Sequence, residues 1–331
     1  MTVEFGVVVP TWGAFGDAQK IRLLIERAEV LGYASVWVGD HLLLPDYAVH
    51  LSPANWYEAL ACCLVGLGMT ERIRFGTDVL VTPYRDPRLL AKMAATGDQL
   101  SGGRLILGMG VGFLEGELRA LGTDPALRGE ITDEYLAVMR RLWESAGPVE
   151  FEGKHVQFEP VHFAPKPLQQ PLPLWIGGNG LRGQRRAALL GDGWHPLFPT
   201  PEQYATGRAL IAKLRHERGL GGPFRFSYSC PETRIVDDPA AIPRGTGYAG
   251  RESLPPDYAY APPPPVDADG RPFFIGTAEQ VTGDLRRLVA AGAEHFVLRF
   301  WAGNPAAGIE DSLDQMERFA ERIFPSFVAR V

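Results

Sequence analysis

"RIRFGTDVLVTPYRDPRLLAKMAATGDQLSGGRLILGMG", residues 72–110, sets two apolar runs on either side of a helical segment. The outer runs, "RIRFGTDVL" and "GGRLILGMG", read as buried strands, the second with a glycine-rich exit. "DPRLLAKMAATGDQL" between them predicts a helix. Strand, helix and strand in this order make the repeating unit of a parallel sheet.

The alternation continues in both directions. Upstream, "VEFGVVVP" is a buried strand stopped by Pro10. Ile21, Leu24, Ala28 and Leu31 then mark one face of a helix that closes at Gly32, and "SVWVG" is the next strand. A helix is expected over residues 53–68. Downstream, Ile131, Tyr135, Val138 and Leu142 align along a helix over 129–145. Residues 147–171 break the rhythm and have room for a small hairpin. Strands "LPLWIGG", "GDGWHPLF", "FRFSYSC" and "HFVLRF" follow. Helices are expected over 182–190 and 201–217, within "TAEQVTGDLRRLVAAGA", and around Ile309, Leu313, Met316 and Phe319. A long Pro-rich insertion near residues 231–272 interrupts the series, its consecutive prolines blocking both helix and sheet ladders.

Eight strand signals with up to eight helices predict an α/β chain, a single (β/α)8 TIM barrel over residues 1–331. A doubly wound open sheet has the same periodicity. The barrel is preferred because no early strand leads into the glycine fingerprint of a dinucleotide fold; Gly13 and Gly16 are poorly spaced for it.

Composition narrows the function. The 331 residues are 46% apolar and 22% charged, ordinary for an enzyme-sized globular chain. A net charge of -6 argues against a nucleic-acid surface. No apolar run reaches membrane-spanning length, and "MTVEFGVVVP" has no basic region before an apolar core, so a cytoplasmic chain is expected. Cys62, Cys63 and Cys230 make neither a metal spacing nor an even disulfide set. The histidines form no compact ligand motif either, and no metal is expected.

In a barrel the chemistry gathers at the C-terminal strand ends. Those exits carry Thr11-Trp12, Asp40-His41, Thr77-Asp78, Gly108, Gly110 and Gly112, Gly177-Gly178-Asn179, and Gly193-Trp194-His195. Polar groups, indoles and two glycine-rich loops suit a flat aromatic cofactor with a phosphorylated tail. Gly108, Gly110 and Gly112 admit backbone close to a ligand, or equally serve a tight barrel exit. The helix starting near Leu181 offers free N–H groups beside Arg182, Arg185 and Arg186, a place for a phosphate, although Gly-Gly also makes ordinary turns.

Taken together, "AEVLGYASVWVGDHLLLP", the stretch from Arg72 to Glu117, "PLPLWIGGNG" and "RRAALLGDGWHP" resemble the luciferase-like monooxygenase superfamily, in particular its coenzyme F420-dependent oxidoreductase branch. The order of the segments follows that family, and residues 276–300 resemble its closing portion. The resemblance implies a TIM barrel that holds F420 or FMN at its mouth, and a homodimer. It places His41 near the redox ring with Asp40 in support. It matches Thr77-Asp78-Val79 to an exit where several members carry a cis non-proline peptide behind the ring. Gly177, Gly178 and Asn179 match the phosphate region, and Trp194 an exit that lines the cofactor pocket. One departure stands out: Val111 lies where sugar-phosphate dehydrogenases of the superfamily carry a glutamate, which puts sugar-phosphate oxidation in doubt. Glu117, the acid further on, is expected to fix helix packing.

The expectation is therefore hydride transfer between the deazaflavin and a small organic substrate, with His41 assisting proton transfer or Asp78 in its place. An FMN-dependent monooxygenase using reduced flavin and oxygen is the alternative, and a cofactor-binding homologue without turnover a third. Trp12, Phe15, Tyr47, Trp56 and Phe113 point to an apolar entrance.

Overall fold

In the computed structural model, which describes residues 3–49, 52–242, 265–300 and 308–327, parallel strands close into a barrel. The barrel strands are Glu4–Val8, Ser35–Val38, Arg74–Thr77, Leu105–Gly110, Leu174–Gly177, Gly193–His195, Arg225–Glu232 and His295–Arg299. Each pairs in parallel with the next, as in Val7↔Val36 and Phe75↔Leu105. Closure comes from the first strand lying against the eighth, with Phe5 opposite Phe296. The open sheet is thereby excluded.

Helices wrap the outside, and their starts are chemically marked. Asp17 accepts the N–H groups of Gln19 and Lys20 ahead of Ala18–Val30. Thr200 with Gln203, and Thr277 with Gln280, form reciprocal caps for Pro201–Glu217 and Ala278–Ala290. The hairpin expected within 147–171 is present, Val149–Glu152 pairing antiparallel with Gln157–Val161. One helix is shorter than its pattern predicts. Residues 53–58 are not helical, and the helix is Ala59–Met69. The reason is tertiary: Trp56 stacks on Trp12 at 4.1 Å, and the N–H of Tyr57 donates to the Thr11 carbonyl at 3.0 Å. Those contacts draw the segment over the barrel mouth.

The Pro-rich insertion lies largely outside the described residues, which omit 243–264. Its return is clamped: Arg271 donates to both oxygens of the fully buried Asp284, each at 2.8 Å, and to Asp267 at 2.8 Å. Among the described residues no helix is long and apolar enough to cross a membrane.

Inside the barrel the axis is filled. Trp37 and Trp175 sit 5.2 Å apart with Val8, Ile106 and Val297 around them. His195 stacks on Trp37 at 4.8 Å, and His295 lies edge-on to Trp175. Glycine on neighbouring strands makes the room. A Cβ at Gly76 would stand 2.5 Å from the Trp37 ring, and one at Gly6 2.7 Å from its Nε1. Everything above this plug forms the mouth.

Candidate functional site

The second strand ends in two side chains that part company. The buried Asp40 carboxylate accepts the Val81 N–H at 2.9 Å and both terminal nitrogens of Arg85, at 2.8 and 2.6 Å. Arg85 also bonds Glu58, so Asp40 ties three segments, and among the described residues it makes no hydrogen bond to the His41 ring. The partner of His41 is Glu117, whose Oε2 stands 2.7 Å from Nδ1. Oε1 of the same carboxylate accepts the N–H groups of Leu42 and Leu43 at 2.6 and 3.0 Å. Burial pushes the Glu117 carboxyl up; His41 and the two N–H groups outweigh it and hold the group below the usual carboxylate range. Glu117 thus does more than the helix packing expected of it. Trp56 and Phe113 meet the His41 ring edge-on at 4.7 and 5.9 Å. Among the described residues the imidazole Nε2 makes no hydrogen bond to protein.

The third strand ends at a cis peptide between Asp78 and Val79, where the family resemblance expects one. Asp78 is held by three residues from three other strands. His195 Nε2 lies 2.8 Å from Oδ1, Ser229 donates to the same oxygen at 3.1 Å, and Arg299 pairs with Oδ2. Burial raises this carboxyl, and Arg299, His195 and Ser229 together bring it below its ordinary value. His195 Nδ1 in turn stands 2.7 Å from Ser227 Oγ, giving a Ser–His–Asp order. Ser227 is fully buried in the barrel, so the row ties strands together and offers no nucleophile to a substrate.

The glycines divide by cause. A Cβ on Gly108 would meet the Thr77 carbonyl oxygen at 1.9 Å, and one on Gly110 would meet Val79 at 2.5 Å. Protein fills both spaces, which is the tight-exit reading. Gly112 has φ +78° and faces Val81. Gly177 also borders Val79, so that side chain forms a shelf between the fourth and fifth exits. Gly178, at φ +109°, approaches Gly183 closely enough that a Cβ would lie 3.4 Å from its Cα. This folds the turn onto the start of the helix Leu181–Leu190, which no side chain caps, leaving first-turn N–H groups open. Arg182 and Arg185 are exposed there, whereas Arg186 turns away to Asp133. Asn179 spends its amide on the Leu197 backbone, donating at 2.6 Å and accepting at 2.9 Å.

Trp194 departs from its expected place. Pleating turns it outward from the barrel, 1% exposed, onto Tyr204 at 5.0 Å, while its indole N–H holds the Gly178 carbonyl at 2.9 Å. His195, its neighbour, is the residue that points inward. Asp40, His41, Asp78, Val79 and the glycines of the fourth and fifth exits do share one end of the barrel. A separate groove lined by Leu136, Arg140, Glu144 and Leu190 lies between outer helices and includes none of them.

The sequence profile of the luciferase-like monooxygenases matches residues 3–241. The chain belongs to that family. Among its relatives, a Mycobacterium tuberculosis protein named as a coenzyme F420-dependent oxidoreductase is 30% identical over 213 residues, 60% of this chain and 56% of its own length. The 4-hydroxyprotoasukamycin monooxygenase of Streptomyces nodosus subsp. asukaensis is 33% identical over 206 residues, 59% of this chain and 54% of its own. The chain thus spans little more than half of either relative. A solved F420-dependent secondary alcohol dehydrogenase with an F420–acetone adduct superimposes with TM-score 0.79 over 99% of this chain and 100% of its own, at 24% identity, a likeness of fold.

Proposed function

We propose that this luciferase-like chain is an F420-dependent oxidoreductase acting on a small, largely apolar organic substrate at the barrel mouth. One observation carries the reading: an imidazole held at Nδ1 by a buried carboxylate, with Nε2 open among Trp56 and Phe113. The assignment of the Mycobacterium tuberculosis relative and the F420 ligand of the alcohol dehydrogenase support the choice of cofactor. The residues present fit it. Val79 offers an apolar shelf for a flat ring, and the uncapped start of Leu181–Leu190 offers N–H donors and positive potential to a phosphate. A buried Thr11 hydroxyl at the first exit, without a hydrogen-bond partner among the described residues, is a further polar group at that end.

When bound, F420 supplies the carbon that accepts or releases hydride. The chain supplies the rest. His41 Nε2 exchanges a proton with the substrate oxygen as hydride moves at the adjacent carbon. The stacked Trp12 and Trp56, with Phe113, exclude water and favour an apolar substrate. Asp78, its carboxylate shared among three partners, holds the shelf and leaves proton transfer to His41. Homodimer formation belongs to the same reading, with exposed Val65 and Leu89 offering apolar outer surface.

Titration of the purified protein with oxidised F420 and, separately, with FMN tests the proposal by absorbance. F420 is expected to bind and to be reduced by members of a panel of small secondary alcohols. Binding of FMN alone, with oxygen uptake after reduction, would make the protein a flavin monooxygenase instead.

A further inference from the structure

We propose that Glu117 is a positioning residue: it fixes His41 as the Nδ1–H tautomer and so presents an unprotonated Nε2 to the barrel mouth. The inference rests on the proposed role of His41 and adds a partner that no sequence motif joins to it, since the two residues are 76 apart in the chain.

A neutral imidazole has one donor and one acceptor nitrogen, and the group facing the donor decides which is which. Here that group is a carboxylate, an acceptor only, at 2.7 Å from Nδ1. Its side chain has no exposure, and its second oxygen is fixed by the Leu42 and Leu43 N–H groups, so swinging the carboxylate away would break two backbone hydrogen bonds. His41 and the Leu42 and Leu43 N–H groups outweigh burial and keep it ionised. The proton on the ring therefore belongs on Nδ1.

The two neighbours at the ring edge divide the work differently. Trp56 and Phe113 are apolar contacts and restrict the plane of the imidazole, at interplanar angles of 71° and 87°. They place no restriction on which nitrogen points outward. A ring turned over within the same slot would keep both contacts and present the wrong atom. Glu117 removes that ambiguity, and it also stabilises the imidazolium formed when Nε2 takes a proton. The titratable groups nearby are Tyr84, which faces Glu117, and Asp40 with Arg85 beyond it. Asp40 is committed to Arg85 and Val81, which leaves Glu117 as the carboxylate in contact with the ring.

Nitrogen-15 NMR of histidine-labelled protein without cofactor, at a pH where the ring is neutral, reads the tautomer directly. His41→Asn identifies the His41 signal among the seven histidines. The parent is expected to show Nδ1–H, and an Nε2–H signal would overturn the proposal. In Glu117→Gln the side-chain amide can face Nδ1 as a donor, so the tautomer is expected to switch. Turnover should then fall by at least about tenfold while the substrate KM and cofactor affinity change little. An unchanged tautomer in the variant would sink the idea, and if that variant does not fold, the parent spectrum alone decides. Because the spectrum needs no cofactor, a protein that shows the tautomer switch yet binds no F420 would refute the assigned activity and retain the positioning role.

Discussion

At His41 the two ring nitrogens keep unequal company, Nδ1 bonded to Glu117 and Nε2 without a hydrogen bond among the described residues. Replacement by asparagine separates structure from chemistry, because an amide N–H can donate to Glu117 where Nδ1 did. The thermal transition of His41→Asn is expected to stay close to that of the parent. Turnover with F420 should drop on the order of a hundredfold, equivalent to about 2.7 kcal/mol of barrier. Cofactor affinity is measured alongside, since lost binding would imitate lost catalysis. A variant that binds F420 normally and turns over at the parent rate removes His41 from proton transfer. Asp40 and His41 are visibly a polar pair at a strand end, but their partners, Arg85 and Glu117, lie 45 and 76 residues away. Trp194 and His195 sit on a strand of three residues, too short for alternation to reveal which one faces the barrel.

Among the strands, the seam that closes the barrel carries a polar chain. His295 on the eighth strand lies 3.1 Å from Glu4 on the first and 2.8 Å from Ser35 on the second, and Ser35 accepts the Trp37 indole N–H at 2.7 Å. Burial, opposed by Glu4, pushes His295 down to about 4, whereas the ordinary value is 6.5. The hydrogen bond from His295, opposed by burial and aided by Arg74, brings Glu4 down to about 2 from 4.5. Both shifts have one sign. Between 6.5 and 4 the unfolded chain takes up a proton that the folded His295 refuses, so stability is full above the upper value and falls as pH drops. Glu4 extends the loss from 4.5 toward 2. Urea unfolding should therefore show falling stability across the His295 window, by at most about 3 kcal/mol. In His295→Gln that slope should flatten, and an unaltered slope would assign the acid sensitivity to other groups. These elements were legible as strands because their apolar runs are continuous. The seam was not, because pairing of the first and last strands leaves no local mark. The helix edge at Ala59 departs from the local periodicity for a related reason: Trp12, distant in sequence, holds Trp56 out of the helix.

For the molecule as a whole, alternation of strands and helices was enough to suggest a barrel, and what fills the barrel was beyond its reach. The plug draws on almost every strand. Trp37 comes from the second, Trp175 from the fifth, His195 from the sixth and His295 from the eighth, while Gly6, Gly76 and Gly108 on the first, third and fourth leave room for the Trp37 indole. Interiors packed to crystal density transmit a single added methyl group to all their neighbours. Gly76→Ala would set a Cβ 2.5 Å from two atoms of the fully buried Trp37 ring, with no flexible end to yield. The expected cost is about 1–3 kcal/mol, read as a lower denaturant midpoint. Trp37→Leu alone opens a void and should also destabilise, by roughly 2–5 kcal/mol. Combined, the two changes should cost less than their sum, since the methyl group then enters space the indole has vacated, and the expected coupling is about 1 kcal/mol or more. Strict additivity in that double-mutant cycle would mean that Gly76 and Trp37 do not share one packed space, and the account of a plug shaped by glycines on the strands beside Trp37 would fail.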